Sequence, residues 1–270
     1  MTAPSLLVLL VFAAVLGLVV GSFLNVVVYR VPAGIPLTRE SRCPHCGAPV
    51  RWWQNVPVFS WLALRGRCAA CTAPISARYP LVEAGTAVAF AFVAWVWAAS
   101  GTVVTAGMWP VLVAYLYFTA VAIALVLIDV RTGRLPDAIV LPSYLVVAGL
   151  FVLACLLGEP SAALLRAGIG MAALYALSYG VRLIGPRGMD RGDVRLAGVI
   201  GLALGWLGWS PLIVGAGAAF VLGIALIVVR RARHTTAIPF GPWLIAGAGA
   251  GLVAGDFVGA CCAGMLAVVT

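Results

Sequence analysis

Eight carboxylates are spread over 270 residues, and two of them stand where a charge is costly. Asp129 closes an apolar run, in Ala124-Leu-Val-Leu-Ile-Asp129-Val130. Asp193 opens another, in Gly188-Met-Asp-Arg-Gly-Asp193-Val-Arg-Leu196. An ionisable group at the edge of hydrocarbon points to function by default. Two carboxyls within a few ångströms cannot both ionise cheaply, so they share a proton. The ionised one can take a proton from water as it attacks a peptide carbonyl, while the protonated one polarises that carbonyl and helps the amine leave. Which member holds the proton is a property of the pair. Plainer roles exist for each: Asp193 suits a helix N-terminus, and Asp129 can pair with Arg131 or Arg134. Asp190, three residues before Asp193, is a rival for the second carboxylate.

The other acids read as structural. Asp137 follows Leu135-Pro136 and suits an N-cap or first-turn position. Glu83, after Pro80, either does the same at the next helix start or touches a substrate amine.

Four of the seven cysteines form Cys43-Pro-His-Cys46 and Cys68-Ala-Ala-Cys71, separated by 21 residues. Two such knuckles can close a tetrahedral Zn site, and closed all-thiolate sites are structural. The alternatives are two reducible disulfides or free thiols. A reducing cytosol, inferred below, disfavours lasting disulfides. His45 reads as a knuckle residue because four thiolates complete the shell. Cys155, Cys261 and Cys262 lie in apolar stretches and read as small packing residues.

These residues must be positioned by a chain that is 64% hydrophobic and only 9% charged. No soluble core of this length hides so much apolar surface, so lipid is the solvent for most of it. The first apolar run, Ser5 to Tyr29, is preceded by no basic side chain and followed by no small-residue cleavage site, so it reads as a retained helix. The uncharged stretch from Ala84 to Ile128 is long enough for two crossings, divided near Ser100-Gly101-Thr102 and Gly107 to Pro110. Further crossings read as Ala138 to Leu157, Ala162 to Ile184, Leu196 to Trp209, Leu212 to Val229, and one starting near Ile238. The expected fold is an all-α polytopic membrane protein of about eight transmembrane helices. A small cytosolic zinc-ribbon-like insertion separates helices 1 and 2. The expected division is residues 1–29 as the first helix, 30–80 as the four-cysteine domain and 81–270 as a transmembrane peptidase domain.

All 17 basic residues are arginines. With the N-terminus outside, every arginine except Arg166 falls in an inward loop, as the positive-inside rule requires. Arg166 can snorkel from the outer end of its helix. The net charge of +9 is thereby accounted for without nucleic acid. Gly247, Gly251 and Gly255 form a small-xxx-small face for close helix packing; without a preceding strand they are a poor cofactor loop. Either the last helix ends near Asp256 and the tail lies along the surface, or the crossing starts later and buries Asp256.

Several segments resemble the bacterial type IV prepilin peptidases. Gly21-Ser-Phe-Leu-Asn-Val-Val-Val-Tyr-Arg30 resembles their first-helix signature. The paired Cys-x-x-Cys segment resembles theirs too, with Asn55-Val-Pro-Val-Phe-Ser-Trp-Leu62 and Ile75-Ser-Ala-Arg-Tyr-Pro80. Ile128-Asp129 with Leu135-Pro-Asp137 is similar to the first aspartate motif, Gly188 to Leu196 to the second, and Ile238-Pro-Phe-Gly-Pro242 to the last helix's entry. The resemblance implies an aspartic endopeptidase of the bacterial inner membrane, with Asp129 and Asp193 as its catalytic pair. Its expected partners are prepilins or pseudopilins, cut after a short basic leader at the cytosolic face, and membrane lipids. It further implies N-methylation of the new N-terminus with S-adenosylmethionine, although no residue here identifies a methyl-donor site. One departure stands out: the family's Gly-x-Gly-Asp reads Asp190-Arg-Gly-Asp193 here. A transporter's proton path is the competing use of membrane carboxylates, but no internal repeat supports it.

Overall fold

A computed structural model describes residues 3–99, 105–184, 189–231 and 240–254. Among them no strand forms, and the chain is built from helices. Arg230 and Arg231 end the eighth helix without described side chains; Gly255, Asp256, Cys261 and Cys262 lie outside the described residues. The chain divides into two units, Met1–Val104 and Thr105–Thr270.

The first unit pairs α1 (Ala3–Arg30) with α3 (Arg78–Ala99). Both run without a charge through their centres, and in lipid a helix is how such a segment satisfies its own backbone. They approach closely because two glycines face the partner. A Cβ on Gly17 would lie 2.6 Å from Ala87 Cα, and one on Gly21 would lie 2.7 Å from Glu83 Cα. Small residues permit this backbone contact, on which helix association in lipid depends. Between the two helices come a 3-10 turn, Trp52–Asn55, the short α2 (Phe59–Ala63) and the four cysteines. The isolated bridges Arg42–Pro49 and Arg67–Pro74 each clasp one cysteine pair.

The second unit contains α4 (Met108–Thr132), α5 (Asp137–Leu156), α6 (Ser161–Ile184), α7 (Arg191–Leu207), α8 (Trp209–Arg231) and α9 (Gly241–Ala254). Helices α1, α3, α4, α5 and α6 are long and apolar enough to cross a membrane. Helices α7, α8 and α9 account for the remaining three expected apolar segments. Helix α7 is the centre of this unit, with nearly all of its residues from Gly192 to Trp206 buried. It carries glycine where α6 presses on it: a Cβ on Gly205 would lie 2.9 Å from Ala167 Cα, and Gly201 abuts Gly170. Its polar ties are few and directed. Tyr115 of α4 donates its hydroxyl to Ala203 O at 2.7 Å, and Tyr144 of α5 donates to Arg195 O at 2.5 Å. Arg166 of α6 finds partners on the neighbouring helix. It donates to Gly205 O (2.8 Å) and Trp206 O (2.7 Å), the last carbonyls of α7, where a helix end lacks internal partners. Gly247 and Gly251 of α9 meet α8 in the close packing expected of them, against Ala219 and Gly215.

Candidate active site and metal centre

Asp129 sits in the last turn of α4, which Gly133 closes in the left-handed conformation by donating to Asp129 O at 2.8 Å. Its side chain is turned into the unit and only 4% exposed. Oδ2 accepts the backbone N–H of Gly241 at 3.1 Å, at the start of α9. A Cβ on Gly241 would lie 2.7 Å from that same oxygen, so glycine is what allows the approach. Asp193 occupies the first turn of α7 and is 6% exposed. Its Oδ2 accepts the Asp190 N–H at 2.9 Å. Asp190 and Asp193 form a reciprocal capping box, which fixes where α7 begins. That start lies one turn earlier than apolarity alone places it.

Asp129 and Asp193 lie within reach of each other's charge, and the residues beside them, Gly241 and Gly192, both meet Leu135. A Cβ on Gly192 would lie 2.7 Å from Leu135 Cβ, and one on Gly241 would lie 3.5 Å from Leu135 Cδ1. Asp190 itself is exposed and serves as the cap. Asp129 makes no ion pair with Arg131 or Arg134 among the described residues. Asp137 stands in the first turn of α5, as expected, and pairs with Arg195. Gly241 had a visible signal in its flanking Pro239 and Pro242, but its contact with Asp129 spans 112 residues.

Glu83 departs from expectation. Helix α3 begins at Arg78, so Glu83 lies in its second turn, 7% exposed in the seam with α1. It accepts the Val58 N–H at 2.7 Å and a hydrogen bond from Ser22. Val58 has φ +62° and ψ −51°, and Phe59 N–H donates back to Pro57 O at 2.6 Å. That is the classic γ-turn, a strained conformation for a β-branched residue.

The two cysteine pairs are built alike. Cys43 N–H donates to Ala48 O and Gly47 N–H to Cys43 O, both at 2.9 Å; Cys68 N–H donates to Ala73 O (2.8 Å) and Thr72 N–H to Cys68 O (2.9 Å). Gly47 (φ +71°) and Thr72 (φ +58°) occupy the equivalent left-handed position. The four Sγ atoms lie within 4.8 Å of one another, and Cys43 and Cys71 are 3.8 Å apart. A tetrahedral ion with Zn–S bonds of about 2.3 Å has sulfur edges of about 3.8 Å, whereas a disulfide needs about 2.05 Å. The donor set therefore fits zinc. Backbone N–H groups of Cys46 and His45 hold the Cys43 thiol down to about 6, favouring the thiolate that a metal binds. His45 is outside the four-sulfur set.

Fold and site together define an all-helical membrane protein with a thiolate cluster and two buried aspartates. The Bacterial Peptidase A24 N-terminal domain matches residues 15–97, and the Type IV leader peptidase family matches residues 116–229. The chain is 37% identical to a Stutzerimonas stutzeri protein named prepilin leader peptidase/N-methyltransferase, over 90% of each chain. Identity is 39% to the protein of that name from Neisseria gonorrhoeae, over 86% of each. It is 37% to that from Burkholderia pseudomallei strain 1026b, over 91% of this chain and 85% of the relative. No solved structure matches. The chain belongs to the prepilin leader peptidase/N-methyltransferase family.

Proposed function

We propose that this protein is an aspartic endopeptidase of the bacterial inner membrane, cleaving the short basic leader of type IV prepilins or pseudopilins at the cytosolic face. The observation that carries the reading is the convergence of Asp129 and Asp193, each buried and each with Oδ2 tied to a backbone N–H. With those oxygens anchored, Oδ1 of each is assigned to the reacting water and the peptide carbonyl. The ionised aspartate takes a proton from water as its oxygen attacks the carbonyl carbon. The protonated aspartate gives its proton to the carbonyl oxygen, and a proton then reaches the departing amine as the C–N bond breaks. Fixed orientation reduces what must be reorganised at the moment of reaction.

Arginine placement supports the orientation: the Asp-bearing ends and the cysteine segment fall on the arginine-rich side. The zinc centre is read as a structural staple of the insertion. The relatives' names support a second activity, N-methylation of the new N-terminus, for which S-adenosylmethionine would supply the methyl group.

Co-expression of a prepilin with Asp129→Asn or Asp193→Asn tests the reading. Loss of leader removal by either variant is expected, and undiminished processing would refute the aspartyl mechanism. The mass of the mature N-terminus tests methylation separately: an unmethylated product with normal cleavage would restrict the enzyme to proteolysis.

A further inference from the structure

A second polar site lies between the last turn of α6 and the first turns of α7. It is a cavity of about 520 Å³ whose lining includes Tyr175, Tyr179, Arg182, Arg191, Val194 and Arg195. Of its three arginines, Arg195 is paired with Asp137. Arg182 and Arg191 have no carboxylate partner among the described residues. The recess thus presents cationic donors in excess of its acids, and planar guanidinium groups match phosphate oxygens in pairs.

Its position and surroundings identify the source of the anion. Helix α6 is long and apolar enough to cross a membrane, and Arg182 stands in its last turn. The cavity is therefore at a membrane border, where tyrosine is enriched; Tyr175 and Tyr179 are 43% and 47% exposed there. Leu177, Leu183 and Ile184 of the same helix are exposed as well. A ligand whose phosphate meets the arginines has an apolar path beside it for acyl chains, which a free phosphate cannot use. Basic recesses between membrane helices take anionic headgroups on this physical basis.

We propose that this cavity binds the phosphate of an anionic lipid, with Arg182, Arg191 and Arg195 as donors. The inference rests on α6 meeting the membrane border and not on the peptidase reading. It reaches the proposed active site through α7: Val194 lines the cavity and is the chain neighbour of Asp193. A lipid seated there steadies the turn that carries Asp193.

The test is lipid retention by the purified full-length protein, read by native mass spectrometry after equilibration with equal phosphatidylglycerol and phosphatidylcholine. The two unpaired arginines, at about fivefold each, predict a preference of about 25-fold for phosphatidylglycerol. Arg182→Gln with Arg191→Gln should abolish most of it, whereas Arg131→Gln with Arg134→Gln should change it less than about twofold. The proposal is overturned if the unsubstituted protein shows no preference, a result that needs no variant to fold. Equal loss in the Arg131/Arg134 control would overturn it in favour of diffuse charge. Displacement of the lipid by millimolar inorganic phosphate would make it a free-anion site and overturn the lipid assignment.

Discussion

The four cysteines come from two loops of six residues each, and each loop closes its own hydrogen bonds before it meets the other. The two aspartates come from the end of α4 and the start of α7, and their support comes from α9 and the cap of α7. Cys46 and Cys71 are exposed, whereas Asp129 and Asp193 are 4% and 6% exposed. The thiolate cluster is a local device whose spacing fits a tetrahedral ion. The aspartate site is a product of helix packing, and without that packing Asp129 has no Gly241 to hold it and no Asp193 nearby. Damage to one site should therefore leave the other largely intact.

The largest expected effect is at the aspartates. Asp129→Asn or Asp193→Asn should lower the rate of prepilin cleavage in isolated membranes by about 10²–10⁴-fold, the usual worth of a positioned acid or base. Zinc content, measured on the same preparations, should not change. Gly241→Ala comes next. It places a methyl 2.7 Å from Asp129 Oδ2, and a displacement of about 1 Å at a reacting group can cost about 10²-fold. The same cleavage assay, with zinc content again constant, checks it.

Acidification tests the other side. Cys43 has its thiol lowered from 9.0 to about 6 in the folded module. A depressed pKa contributes stability that is fully present above the unfolded value and lost as pH falls through the folded one. Zinc retention on a desalting column should fall as the pH is lowered, since ligand thiols must be deprotonated. Release of zinc at neutral pH without chelator would break the four-thiolate reading. Glu83→Ala should loosen the insertion without touching the aspartates. It leaves the Val58 N–H of a strained turn unpaired, costing about 1–3 kcal/mol. Faster proteolysis between residues 30 and 80, with cleavage activity within about threefold, is the expected outcome. The smallest effect belongs to Asp190→Gly, which restores the family's glycine; glycine caps cost only a few tenths of a kcal/mol. A shift of that size in thermal unfolding would separate a cap from a third catalytic carboxylate, whose loss would cut cleavage far more.

What was legible in the sequence follows the range of the interactions involved. Helix count and approximate ends could be read because lipid forces each long uncharged run into a helix that satisfies its own backbone. The cysteine set could be read because a Cys-x-x-Cys knuckle is built by neighbours in sequence. The apolar crossing read from Leu196 leaves out the first turn of α7, because apolarity does not register a capping box, whereas Asp193 does stand at the helix start as read. Glu83 was misread as belonging to a helix start because its partner, Val58, lies 25 residues away across a loop.

By itself, then, the sequence determined the membrane-bound, all-helical character of this protein, its thiolate cluster, its family and the identity of the two candidate aspartates. Only the tertiary structure decided that Gly241 holds Asp129, that Arg195 is taken by Asp137, and that α7 is enclosed by its neighbours. These contacts join residues up to 112 positions apart. They depend on which helix faces approach, which glycines and long-range hydrogen bonds settle and hydropathy along the chain does not encode.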